Sequence, residues 1–176
     1  MTSMVQISKP EVLATVVLLI DKECKVILAR KKQAIHHDTG EISYSLGLYN
    51  GYGGKMEETD ETIEKTAIRE LYDESGVKGK EENLEKCAQV YFYIQKEEEV
   101  IPFMDVTFYI LREWSGVPTE GLEMGEPVFF AQDDLPYGEM MPADKVLFGK
   151  ILTGEKGEYN VFLKGKGVEP LVEKLS

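Results

Sequence analysis

The amino-acid sequence predicts an α/β (α+β) fold, a sandwich of mixed β-strands with two helices between them. Two observations carry that prediction. Strand-length runs rich in β-branched and aromatic residues recur at Val12 to Ile20, Lys25 to Arg30, Leu84 to Gln95, Phe103 to Arg112, Val128 to Ala131 and Tyr159 to Leu163. Around Ile63 to Leu71 and Ala143 to Thr153, apolar residues instead repeat with helical spacing.

Taken in order, the first two strands are joined by the polar turn Asp21-Lys22-Glu23, and the polar stretch Lys31 to Ser45 reads as a loop. Loops of that length beside a site often act as lids. Leu48 to Gly54 is too glycine-rich for a regular element and bends the backbone near a ligand. Thr59 or Asp60 caps the first helix, whose apolar positions are Ile63, Ala67, Ile68 and Leu71, and Gly76 stops it. The acidic run Glu97-Glu98-Glu99 forms a hairpin tip. The second helix presents Val146, Leu147, Ile151 and Leu152, and the last strand is followed by a short tail.

The 176 residues are 43% hydrophobic, which is expected to give a single domain, residues 1–176, with a core that needs no disulfide or metal staple. Cys24 and Cys87 stand far apart, which suits a reducing compartment and argues against a zinc site. No apolar run approaches the ~20 residues of a membrane-spanning helix, and Met1 to Glu11 lacks the basic-then-apolar order of a signal peptide. The expectation is a cytoplasmic monomer with no membrane partner. A net charge of −12 repels a nucleic-acid polymer. A small phosphorylated ligand stays compatible, because a divalent cation reverses the local field.

The densest chemistry lies in Arg69-Glu70-Leu71-Tyr72-Asp73-Glu74-Ser75-Gly76-Val77, directly after Asn50-Gly51-Tyr52-Gly53-Gly54-Lys55. On a helix, Glu70, Asp73 and Glu74 share one face at i, i+3 and i+4, where like charges repel unless a cation offsets them. Clustered carboxylate oxygens suit Mg²⁺ or Mn²⁺, and those ions suit phosphate chemistry. Arg69 can pair with Glu61 and fasten the preceding loop to the helix, while Lys55 can contact a phosphate. His36-His37-Asp38 has no third ligand at a recognisable spacing and reads as exposed loop.

The segment of about Gly54 to Val77 resembles the signature of the Nudix hydrolases, through Gly54, Glu61, Arg69-Glu70-Leu71, Asp73-Glu74 and Gly76-Val77. It departs from that pattern twice. The spacer from Gly54 to Glu61 is one residue longer than usual, and Asp73 stands where a glutamate is usual. Tyr49 to Lys55, Phe103-Met104-Asp105-Val106, Pro118 to Met124 and Leu135 to Asp144 extend the likeness to the family's MutT-homologue branch, which hydrolyses oxidised purine nucleoside triphosphates.

The resemblance implies a Nudix fold, an α/β/α sandwich around a mixed sheet. It implies Mg²⁺, or Mn²⁺, held by Gly53 through its carbonyl, Glu70, Asp73, Glu74 and Glu123, with Glu61 and Arg69 completing the catalytic set. The general base is either Glu74 or Glu123. Asn50 and Asp144 would bond a purine edge, Thr15, Phe92, Met104 and Met141 would line its pocket, and Lys31 would sit close by. Met141 occupies the place of a base-stacking tryptophan, and Ala143 that of a second aspartate. A lone Asp144 is then expected to ionise readily, accepting hydrogen bonds without donating one. The implied reaction converts a purine nucleoside triphosphate, such as 8-oxo-dGTP, to monophosphate and pyrophosphate. The alternatives are another nucleotide (an ordinary dNTP, ADP-ribose or a dinucleotide), a catalytically silent nucleotide-binding module, or a protein-interaction domain using the acidic surface.

Overall fold

The computed structural model describes residues 7–32 and 45–176. Residues 33–44 of the expected lid, His36-His37-Asp38 among them, lie outside these, as do the first six residues. The chain runs β1 (Leu13–Ile20), β2 (Val26–Arg30), β3 (Tyr49–Asn50), α1 (Ile63–Ser75), β4 (Lys78–Gly79), β5 (Leu84–Lys96), β6 (Glu99–Leu111), β7 (Trp114–Ser115), β8 (Val128–Phe130), α2 (Pro142–Leu152), β9 (Gly157–Leu163) and β10 (Leu171–Lys174). The main sheet has the order β10-β9-β5-β6-β1-β2-β3, with β8 also paired to β2; β4 and β7 form a separate ribbon. β1 runs parallel to β6 and β5 parallel to β9, whereas β1–β2 and β5–β6 are antiparallel, so the sheet is mixed.

Alternation along the strands explains the layers. Leu18, Ile20, Val26, Leu28, Val90, Val106 and Phe108 pack with Leu147, Phe148 and Ile151 of α2. Val17, Leu19, Ile27, Ala29, Tyr109 and Leu111, from the intervening positions, pack with Ala67 and Leu71 of α1. β1 and β2 are therefore apolar on both faces, as strands buried between two helical layers must be.

Local chemistry sets the boundaries. α1 begins later than Thr59 or Asp60: its N-cap is Thr62, whose hydroxyl accepts from Lys65 N–H at 3.1 Å. It stops at Gly76, whose φ of 74° is the left-handed cap glycine tolerates best. α2 opens with Pro142 at its first turn and buries Ala143, Leu147, Phe148 and Ile151, leaving Val146 exposed. In the first turn, Asp21 accepts from the N–H groups of both Glu23 and Lys25. The β5–β6 hairpin turns on Glu97-Glu98, with Glu97 at φ 53°, while Glu99 already belongs to β6. The C-terminal tail adds β10 to the sheet edge, antiparallel to β9. Among the described residues no helix is long and apolar enough to cross a membrane.

Candidate active site

The segment Gly51 to Lys55 runs beside β1, where Tyr52 exchanges backbone hydrogen bonds with Val17 and the Gly54 carbonyl accepts from Thr15 N–H. The approach demands glycine. A Cβ on Gly53 would lie 1.9 Å from the Thr15 carbonyl oxygen, and one on Gly54 would lie 2.6 Å from the Glu70 carboxyl carbon. The Gly53 N–H donates to Glu74 Oε2 at 2.9 Å. Gly53 itself lines the cleft, beside Glu74.

Glu74, on the inner face of α1, has a side chain only 3% exposed. Burial pushes its carboxyl up to about 8, against the pull of Lys31 and the Gly53 hydrogen bond. Lys31 Nζ stands 3.8 Å from Glu74 Oε1 and 3.8 Å from Glu123 Oε2. Burial also raises Glu70, whose carboxylate meets Arg69 Nη1 at 2.7 Å. Two cations thus offset the acidic cluster. Beneath it lies Tyr52, fully buried, with a hydroxyl that has no hydrogen-bond partner. Burial, and then the charge of Glu74, push that phenol's pKa up.

The expected pairing of Arg69 with Glu61 does not form. Arg69 is held by Asp60, with Nε to Oδ1 at 2.9 Å and Nη2 to Oδ2 at 2.7 Å. Asp60 also accepts from Glu57 N–H and the Thr66 hydroxyl, each at 3.0 Å. These bonds, the guanidinium's first, hold the Asp60 carboxyl far below the ordinary carboxylate range. Glu61 is exposed on the residue before the cap and pairs with Lys65 one turn along. The longer spacer explains the exchange. Counted back from Arg69 the signature acid falls on Glu61, but counted forward from Gly54 it falls on Asp60, the one turned inward. Sequence reasoning missed Asp60, although its position at the family's ordinary spacing from Gly54 was the signal for it.

A cleft of about 670 Å³ gathers the other candidates. It is lined by Thr15, Lys31, Asn50, Gly53, Lys55, Glu70, Glu74, Phe92, Met104, Glu123, Met141 and Asp144, together with Phe103 and Leu163, which the sequence did not single out. Asp73 does not line it: its side chain is 57% exposed, 3.7 Å from Arg69 Nη1. Phe92 and Met104 serve both readings weighed for them, packing against the α2-side core while facing the cleft. Asn50 donates to the Leu48 carbonyl at 2.9 Å, which fixes its amide as a turn residue would be fixed. Asp144 is half-buried, and desolvation acts against the expected ready ionisation. It pushes the carboxyl up to about 7, and a protonated aspartate donates a hydrogen bond.

Among the described residues no three carboxylates stand close enough to form a ready-made metal cage. The donor chemistry nonetheless fits a hard divalent cation: Glu70, Glu74 and Glu123 line one cleft with Gly53, and all offer oxygen.

Residues 10–150 match the NUDIX domain family. The oxidized purine nucleoside triphosphate hydrolase of Mus musculus is 33% identical over 144 residues, covering 82% of this chain and 81% of its own length. That of Danio rerio is 32% identical over 161 residues, covering 92% and 91%. The solved structure of the mutator MutT protein from Bacillus halodurans superimposes with a TM-score of 0.71 at 21% identity, over 94% of this chain and 95% of that one. The family match spans most of the chain and includes the α1 acids, the glycine segment and the cleft built from them, so this chain belongs to the Nudix hydrolases.

Proposed function

We propose that the chain is a Mg²⁺-dependent pyrophosphohydrolase of purine nucleoside triphosphates, oxidised purines such as 8-oxo-dGTP among them, acting as a monomer in the cytoplasm. The observation that carries this reading is a single cleft lined both by acids and a lysine, Lys31, Glu70, Glu74 and Glu123, and by Asn50, Phe92, Met104, Met141 and Asp144. It can take a triphosphate and a base at once. The names of the mouse and zebrafish relatives support the same substrate class.

Glu70, Glu74, Glu123 and the Gly53 carbonyl would hold the cation. When bound, it supplies neutralisation of phosphate charge and a lowered pKa for water. Glu74 or Glu123 accepts the proton of the attacking water. The water oxygen bonds to phosphorus, the bridging P–O bond breaks, and nucleoside monophosphate and pyrophosphate leave. Burial, which raises the Glu74 carboxyl, makes it a stronger base than an exposed carboxylate once it is ionised. Lys31 and Lys55, both on the cleft wall, hold phosphate oxygens. Arg69, fastened by Asp60, orients Glu70 rather than meeting the substrate.

The test is turnover of 8-oxo-dGTP, 2-hydroxy-dATP, dGTP, dATP and ADP-ribose with Mg²⁺, for the wild type and Glu74→Gln. The expected result is a preference for oxidised purines, pyrophosphate as product, and loss of about 10³-fold or more in Glu74→Gln with the fold intact. Full activity in that variant would sink the assignment. Equal rates on ordinary dNTPs would remove the oxidised-base selectivity and leave the reaction class.

A further inference from the structure

Lys31 is a cation of the cleft whose backbone is fastened on both sides. Its N–H donates to the Leu48 carbonyl at 3.0 Å, and its carbonyl accepts from Gly47 N–H at 2.8 Å. On the other side Lys32 N–H donates to the Glu123 carbonyl and Gly125 N–H to the Arg30 carbonyl, each at 2.8 Å. The backbone beneath Lys31 is therefore fastened to the segment that carries Glu123. Its ammonium stands between two acids from different elements, Glu74 of α1 and Glu123 of the loop, at 3.8 Å from each. Both contacts exceed hydrogen-bond length, so the ammonium is attracted electrostatically without being locked. Its side chain is 24% exposed, so it can reach a neighbouring anion.

We propose that Lys31 is a tethered cation competing with the divalent metal for Glu74 and Glu123, and that incoming phosphates draw it away and so couple metal binding to nucleotide binding. The inference rests on the reading above, in which those two glutamates hold the metal. One ammonium and one divalent ion satisfy the same two carboxylates, so each weakens the other's hold. A phosphate that takes the ammonium removes the competitor. Linkage makes the effect reciprocal: nucleotide tightens metal binding by the factor by which metal tightens nucleotide binding. The site then fills with metal and nucleotide together rather than with metal alone.

The experiment is calorimetric titration of Mn²⁺ into the wild type, Lys31→Met and Lys31→Arg, alone and with a non-hydrolysable α,β-methylene purine nucleoside triphosphate. Circular dichroism establishes that each variant is folded. Without nucleotide, Lys31→Met should bind Mn²⁺ about tenfold more tightly than the wild type, and Lys31→Arg should match the wild type. Nucleotide should tighten Mn²⁺ binding on the order of tenfold in the wild type and much less in Lys31→Met. A simple phosphate-binding lysine would not move the nucleotide-free value. Equal or weaker Mn²⁺ binding by folded Lys31→Met overturns the competition while leaving the metal site standing. No Mn²⁺ uptake by any of the three proteins overturns the metal reading itself, and this inference with it.

Discussion

The acidic lining of the cleft, proposed above to take the phosphates, and the lining proposed to take the base are built differently. On the phosphate side, one helix and one glycine segment place the core of the group, while Lys31 and Glu123 join from elsewhere. α1 carries Arg69, Glu70 and Glu74, a Cβ on Gly53 would run into the Thr15 backbone, and one on Gly54 would displace the Glu70 carboxylate. The base side draws single residues from distant stretches, with Thr15 from β1, Asn50 from β3, Phe92 and Met104 from the long hairpin, and Met141 and Asp144 around the start of α2. A helix repeats its geometry, so charge spacing along it fixes a constellation. A pocket assembled from five elements has no such internal ruler, and its selectivity can drift while the reaction is kept.

The largest expected effect tests how firmly the phosphate side is braced. Asp60→Ala removes a carboxylate that receives two guanidinium N–H groups, a backbone N–H and a hydroxyl. It leaves the Arg69 side chain, 26% exposed, without its main partner. Urea unfolding should show a loss of about 2–4 kcal/mol, with turnover falling because Glu70 loses its orienting arginine. Glu61→Ala, one residue away, should leave the urea midpoint unchanged, since that exposed carboxylate pairs with Lys65 across one turn. A reversed pattern would return the bracing role to Glu61 and dissolve the distinction between the two acids.

A smaller effect is expected on the base side, from pH. The folded-state pKa of Asp144 is raised from 3.8 to about 7 by burial. The folded protein therefore holds this proton more firmly than the unfolded chain does. The stability it contributes is complete below pH 4 and is lost as pH rises through about 7. Unfolding free energies of the wild type should fall relative to those of Asp144→Asn across that window, by up to about 1.4 kcal/mol per pH unit. Parallel curves would show that Asp144 is solvated and ionised, as the sequence alone had suggested.

That contrast shows where sequence reasoning reached and where it stopped. The long strands and α1 were legible because alternation and helical spacing are local properties; Ile63, Ala67, Leu71 and the stop at Gly76 sufficed. The two-residue strands β4 and β7 were not, because Lys78 and Gly79 are extended only through pairing with Ser115 and Trp114, far along the chain. β10 was read as tail because its short, mostly exposed run carries little alternation and gains its order from β9. At the site, the order of glycines and acids pointed to the cleft, yet Asp60 and Glu61 are chemically near-equivalent neighbours, separated only by which one the turn before α1 points inward. For Asp144 the sequence showed that a neighbouring carboxylate was missing. It could not show desolvation, which here pushes the carboxyl up.

The smallest predicted effect concerns the base itself. Met141 is the N-cap residue of α2, lines the cleft, and stands where the resemblance places a stacking tryptophan. A thioether packs against a base adaptably but offers little flat area, whereas an indole stacks on it. Met141→Trp should tighten purine nucleoside monophosphate binding about three- to tenfold, in line with the ~0.5–1.5 kcal/mol of an aromatic pair, with less gain for pyrimidines. Calorimetry with the monophosphates isolates this term, because most of the phosphate side's charge is then left unmatched. Equal gains for both base classes would mean that the indole adds apolar area without stacking, and no gain would mean that the base does not lie against α2. In either case the phosphate side would keep its assignment, since the Arg69 bond to Glu70, the Gly53 bond to Glu74 and the place of Lys31 between Glu74 and Glu123 do not involve Met141.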